Sequence, residues 1–186
     1  MQYAAFFRNL NLGRTNCPTK AQFETAFVGA GATSASSFLT NGTMVFSVGP
    51  TGRPRQLLAD ACTLLRERCG LREPAFIRPL GDLAEWVAMR PFASVDPASV
   101  YACCISFLHP ECDVLAEPLP PANTRGDVRV VHCTATEVFS ISLKPGRSPG
   151  SPNAFIEKQL GRPATTRNWN TVLRLVQRHA ALPARR

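Results

Sequence analysis

Long apolar runs are missing from this chain: no stretch approaches the roughly 18 residues that a membrane-spanning helix needs. The opening residues, MQYAAFFRNLNLGR, lack a basic start, an apolar middle and a small-residue cleavage site, so no secretory signal and a cytoplasmic location are expected. Charged residues are sparse at 18%, but hydrophobic ones reach 45%, which excludes a disordered or coiled-coil chain. Tyrosine and tryptophan number two each, a poor supply of platforms for stacking single-stranded nucleic acid. The cysteines, seven at irregular spacing, point to reduced thiols rather than a disulfide framework.

What remains is 186 residues, enough for one compact domain or two small subdomains sharing a boundary. The net charge is +8, with arginine supplying all but three of the 21 basic residues. Acidic residues stop at Glu157, whereas residues 158–186 hold Lys158, Arg162, Arg167, Arg174, Arg178, Arg185 and Arg186. The preceding chain is nearly neutral, so its basic character belongs to the C-terminal segment.

The aromatic run Gln2–Arg8 suits a buried strand. Thr19 and Gln22 have capping-box spacing, and Phe23, Ala26 and Phe27 follow at helical spacing, which predicts a helix over 19–30. Ser34–Leu39 and Thr43–Val48 flank Asn41-Gly42, the signature of a two-residue hairpin. A second helix is expected over Arg55–Cys69, ended by Gly70, and a strand over Glu73–Arg78. The order strand, helix, strand, strand, helix, strand is ferredoxin-like. A second round begins with a helix over Asp82–Met89 and a strand over Val100–Leu108 in which Tyr101, Cys103, Ile105 and Phe107 alternate inward. After a Pro-rich passage, Val128–Cys133 and Val138–Leu143 form a hairpin, Ser151-Pro152 starts a short helix, and a last helix runs from near Asn168 to Ala181, burying Trp169, Val172, Leu173 and Val176. The expected class is α+β, with two ferredoxin-like subdomains on antiparallel sheets, residues 1–78 and 79–186.

Two motifs carry a family resemblance, RNLNLGRTN (Arg8–Asn16) and ATTRNWNTVLRL (Ala164–Leu175). With the Asn41-Gly42 to Phe46 hairpin, Pro91-Phe92 and Ser106-Phe107-Leu108, they identify the chain as similar to the DUF (domain of unknown function) 1697 family of small bacterial proteins. The family pattern R-G-I-N-V-G-G-x-N keeps Arg8, Asn11, Gly13 and Asn16 here and departs at Asn9 and Arg14, both Gly in the family, while Lys20 stands where Met is usual. The chain resembles a divergent member. The resemblance implies an α+β fold and no established activity.

The link from the first strand to Thr19 is long, and its arginines, asparagines and glycine can fold over an anion with side-chain forks and backbone N–H groups. They can equally satisfy their own backbone as an Asn-rich loop. Thr165–Thr171 combines capping residues with Arg167 at an expected helix start, where the dipole disfavours a cation and something must compensate it, either a ligand anion or a group of the protein itself. Arg8, Asn11, Arg14, Asn16, Arg167 and Asn168 are the expected ligand-binding set, for a small phosphate or carboxylate. Trp169 reads as core.

Nothing in the sequence assigns a reaction or a cofactor, since neither P-loop nor Rossmann glycine spacing is present. Cys17 before Pro18-Thr19 has the helix-start setting of a thiolate but no evident base. Cys104, His109, Cys112, His132 and Cys133 fit no standard zinc spacing. Asp60, Glu67, Asp82, Glu85, Asp113 and Glu137 form no recognisable acid/base pair. Arg174, Arg178, Arg185 and Arg186 offer an alternative function in nucleic-acid binding or regulation, and sheet edges offer a third, as a protein-interaction scaffold. The oligomeric state is not legible.

Overall fold

The computed structural model describes residues 1–109 and 119–179. The chain divides into two compact units, Met1–Leu83 and Ala84–Arg186, each built on a four-stranded antiparallel sheet. The fold class is α+β.

In the first unit, β1 (Gln2–Phe7), α1 (Lys20–Gly29), β2 (Ser34–Phe38), β3 (Thr43–Ser47), α2 (Pro54–Cys69) and β4 (Ala75–Pro79) follow the expected order. The sheet runs β2-β3-β1-β4. Central β1 is apolar on both faces, and its last four residues are fully buried, which is why it reads as a continuous apolar run rather than an alternating one. Phe7 meets Phe23 and Phe27 of α1 edge-on, with centroids 5.0 and 6.2 Å away, and Phe46 of β3 closes the cluster. Leu57, Leu58, Ala61 and Leu65 of α2 complete this core.

Local chemistry explains the helix ends. The Thr19 hydroxyl accepts from Gln22 N at 3.2 Å, and Gln22 Oε1 accepts from Thr19 N at 2.8 Å, a reciprocal capping box. α2 opens on Pro54 and closes on Gly70, whose φ of 69° is left-handed. The hairpin departs from the two-residue expectation: Phe38 pairs with Thr43, so four residues, Leu39 to Gly42, make the turn. Leu39 itself takes a φ of 60°, and this extra left-handed residue lengthens the connection.

α3 (Leu80–Met89) leads on to a 3-10 turn at Pro97–Ser99, then β5 (Ala102–Leu108), β6 (Val128–Cys133), β7 (Glu137–Ser142), α4 (Pro152–Leu160), β8 (Ala164–Asn168) and α5 (Trp169–His179). The second sheet runs β6-β7-β5-β8. Matching β5 to β1, β6 to β2, β7 to β3 and β8 to β4 superposes the two strand orders. The place of a helix matching α1, between β5 and β6, includes residues outside the described set. Phe139 of β7 is ringed edge-on by Trp86, Phe92 and Trp169, at centroid distances of 5.9 to 6.2 Å.

Beyond the hairpin, three expectations for the second unit are corrected. Ala164–Asn168 is a strand, not the approach to a helix: Phe107 pairs with Thr165 and Ile105 with Arg167. Thr165 and Thr166 are β-branched and favour a strand where an edge needs one, although Ser/Thr/Asn clusters also read as caps. In α5 the buried leucine is Leu175, while Leu173 is only half-buried. Tyr101 precedes β5 and is 59% exposed rather than inward-facing.

Candidate functional site

The Arg8–Asn16 loop is fastened from within. Leu12 N donates to Thr40 O at the hairpin tip, Gly13 N to Pro18 O, Arg14 N to Asn11 O and Cys17 N to Arg14 O. Asn9, Gly13 and Asn16 take left-handed φ values of 52°, 79° and 61°, which asparagine and glycine tolerate best. Several of the loop's N–H groups are therefore committed to its own shape. The Arg8 guanidinium pairs with Glu73 at 3.0 Å. Asn11, Arg14 and Asn16 are exposed. Cys17 packs against the core of the unit, two residues ahead of the helix cap Thr19.

Arg167 is the fourth residue of β8 and only 7% exposed. It donates to Thr165 Oγ1 at 2.8 Å and Thr166 O at 3.0 Å. Burial lowers its pKa from the usual 12.5 to about 10. The compensation that the sequence demands is thus met in part by the strand's own threonines. The Arg8–Asn16 and Thr165–Thr171 motifs belong to different units.

Asn168 leads elsewhere. Its Oδ1 accepts from Asn170 N at 2.9 Å, capping the start of α5 and leaving the Nδ2 amide as a donor. Asn168, Trp169 and Asn170 line a pocket of about 420 Å³ within the second unit, together with Arg90, Phe92, Tyr101 and Cys103. Val87 and Leu173 add apolar wall. Arg90 is the one charged side chain of the lining among the described residues. It is exposed and has no ion-pair partner among the described residues. It stands just past the end of α3 at a φ of 51°, the left-handed position where glycine or asparagine is usual. The Cys103 thiol is pushed up by desolvation, so it lines the pocket as a neutral group at neutral pH.

A second cavity of about 500 Å³ is lined by Asn123, Arg125, Asp127, Ser151, Phe155 and Lys158, among others. Asp127 is 1% exposed, accepts from Asn123 Nδ2 at 2.6 Å and pairs with Arg125 at 3.0 Å, while Asn123 Oδ1 accepts from the N–H groups of Asp127 and Val128. These bonds lock the turn through Gly126 and satisfy Asp127 Oδ1, while the buried Oδ2 has the Arg125 ion pair and no hydrogen bond among the described residues. Burial drives the Cys62 and Cys104 thiols up to about 11 and about 12, which leaves them unreactive. Among the described residues no three His, Cys, Asp or Glu side chains come together as metal ligands, and Cys112 and Asp113 lie outside those residues. Arg174 and Arg178 are exposed on α5, whereas Arg185 and Arg186 lie outside the described residues. No helix of the described residues is long and apolar enough to cross a membrane.

Sequence reasoning singled out Asn168 but missed Arg90, Tyr101 and Cys103 as pocket residues. Nothing in the local sequence marks Arg90, whose pocket neighbours Asn168, Trp169 and Asn170 lie far along the chain.

The molecule is thus an α+β protein of two antiparallel sheets with a pocket of small-molecule size. Residues 1–139 match the family described as protein of unknown function (DUF1697), and the chain belongs to that family. The match takes in the Arg8–Asn16 loop and the hairpin and stops short of β8 and α5. Conserved bacterial protein SP0830 from Streptococcus pneumoniae is similar in structure, with a TM-score of 0.63, 18% identity, and coverage of 95% of this chain and 97% of that one. At that identity the likeness is one of fold. No curated protein matches the chain.

Proposed function

We propose that this protein binds a small anionic molecule in the pocket lined by Arg90, Asn168, Trp169 and Asn170. The observation that carries the reading is that, among the described residues of the lining, the single charged side chain is an arginine and none is Asp or Glu. An arginine fork and carboxamide donors beside the first turn of a helix favour an anion. Of the residues expected from the sequence to bind ligand, Asn168 belongs to this pocket. Arg167 is a buried residue of β8 outside the lining, and Arg14 is an exposed cation of the first-unit loop.

A thermal-shift panel of phosphates, nucleotides, small carboxylates and short oligonucleotides tests the reading, with Arg90→Ala and Arg14→Ala in parallel. A ligand at a hundred times its dissociation constant stabilises by about 2.7 kcal/mol, a readily measured shift. The expected result is stabilisation by a small anion, lost in Arg90→Ala. Loss only in Arg14→Ala moves the site to the first loop. A response confined to oligonucleotides favours the basic C-terminal segment instead.

A further inference from the structure

We infer that the ligand of this pocket is an aromatic monocarboxylate, an inference that rests on the anion reading above and narrows it. The charge count favours a monoanion. Arg90 alone supplies a full positive charge in the lining, and the start of α5 adds about half a charge of dipole. A phosphate monoester carries nearly two negative charges at neutral pH and is usually met by several cations or a cradle of N–H groups. A carboxylate matches the two parallel N–H groups of one guanidinium. Lys144 stands over the Tyr101 ring, 6.0 Å from its centroid, and is not part of the lining.

The walls favour a flat apolar body. Phe92 and Trp169 meet edge-on, centroids 5.5 Å apart at 63°, and the Tyr101 ring adds to them while 59% exposed to solvent. An exposed tyrosine ring beside a pocket gains most from a partner that covers it while leaving its hydroxyl wet. A cavity of about 420 Å³ lies toward the small end of ligand pockets, suited to one or two fused rings. The carboxylate would meet Arg90 and the Asn168 amide, and the ring would lie against Trp169 and Tyr101.

Isothermal titration of the full chain with phenylacetate, indole-3-acetate, phenylacetamide, phenyl phosphate and acetate tests this. Phenylacetate and indole-3-acetate are expected to bind, with the amide and acetate each weaker by about tenfold or more. Arg90→Lys, which keeps the charge and loses the fork, is expected to weaken both aromatic acids about tenfold, with its far-ultraviolet spectrum and melting temperature confirming that the variant is folded. Tighter binding of phenyl phosphate overturns the carboxylate class and leaves the anion pocket standing. No binding by either aromatic acid, while another anion stabilises the protein in an Arg90-dependent way, likewise overturns only the aromatic carboxylate; equal binding of acid and amide, or no Arg90-dependent response to any anion of either panel, overturns the anion reading as well.

Discussion

Arg78 and Arg167 hold the same place in the two halves of this protein. Each is the fourth residue of an edge strand, β4 or β8, and each lies two residues before a helix. Both are nearly buried, at 6% and 7% exposure, and each donates to the carbonyl of the preceding residue, at 2.7 and 3.0 Å. Their surroundings in sequence, AFIRPL and ATTRNW, share little else. The equivalence therefore resides in the repeated strand order, where an edge strand hands its chain directly to a helix.

Burial of Arg167 has a consequence at high pH. Its pKa in the folded protein, about 10, lies below the usual 12.5, so the unfolded chain holds the proton more tightly. Below pH 10 the folded state carries the full cost of a buried charge, and that cost is relieved as pH rises from 10 toward 12.5. Arg167→Met removes the titration. The stability difference between wild type and variant, measured by urea denaturation, is expected to be flat below pH 9 and to shift in favour of wild type above pH 10. A difference independent of pH across that range contradicts the assignment.

Arg90 is expected to show opposite effects on stability and binding. A side chain at left-handed φ costs about 1–2 kcal/mol, part of which glycine recovers before its own entropic penalty. Arg90→Gly should raise stability by about 0.5–1 kcal/mol while abolishing anion-dependent stabilisation. A variant that is less stable, or that still responds to the anion, contradicts the role assigned to Arg90.

Two glycines separate close approach from mere flexibility. A Cβ on Gly150 would collide with the backbone carbonyl of Asp127, and the Gly150 carbonyl already accepts from Ser142 Oγ at 2.6 Å. Gly150→Ala is expected to cost about 3 kcal/mol. Gly81 sits in α3 with nothing within 4 Å, so Gly81→Ala should stabilise by about 0.5–1 kcal/mol. Denaturation midpoints of the two variants moving in the same direction would refute this distinction.

The Thr19–Gln22 box invites a smaller change. Thr19→Ala leaves the Gln22 N–H without its side-chain acceptor and is expected to cost about 1 kcal/mol, read as a lower urea midpoint with an unchanged slope. Thr19→Ser should retain most of the stability, since it keeps the accepting hydroxyl.

The elements of the first unit were legible because each is signalled locally. Thr19 with Gln22, Pro54 with Gly70, and the apolar run of β1 need only their neighbours in the chain to be read. β8 was not, because ATTRN is short and polar, and its strand geometry depends on pairing with β5, some sixty residues earlier. Of the residues expected to bind ligand, Asn168 alone lines the candidate pocket. Arg90 carries no local signal, and the fate of Arg8 depends on Glu73, sixty-five residues away.

By itself, then, the sequence determined the α+β class, most helix ends and most strand positions, which rest on interactions spanning a few residues or on periodic burial, and its motifs pointed to the family; the expected end of the last helix at Ala181 lies outside the described residues. Tertiary structure decided the strand order, the turning of Ala164–Asn168 into an edge strand, and the meeting of Arg90, Tyr101 and Asn168 around one pocket. The physical reason is range. A cap or an amphipathic face is settled by neighbours three or four positions away, whereas a pocket exists only where distant backbones have already packed.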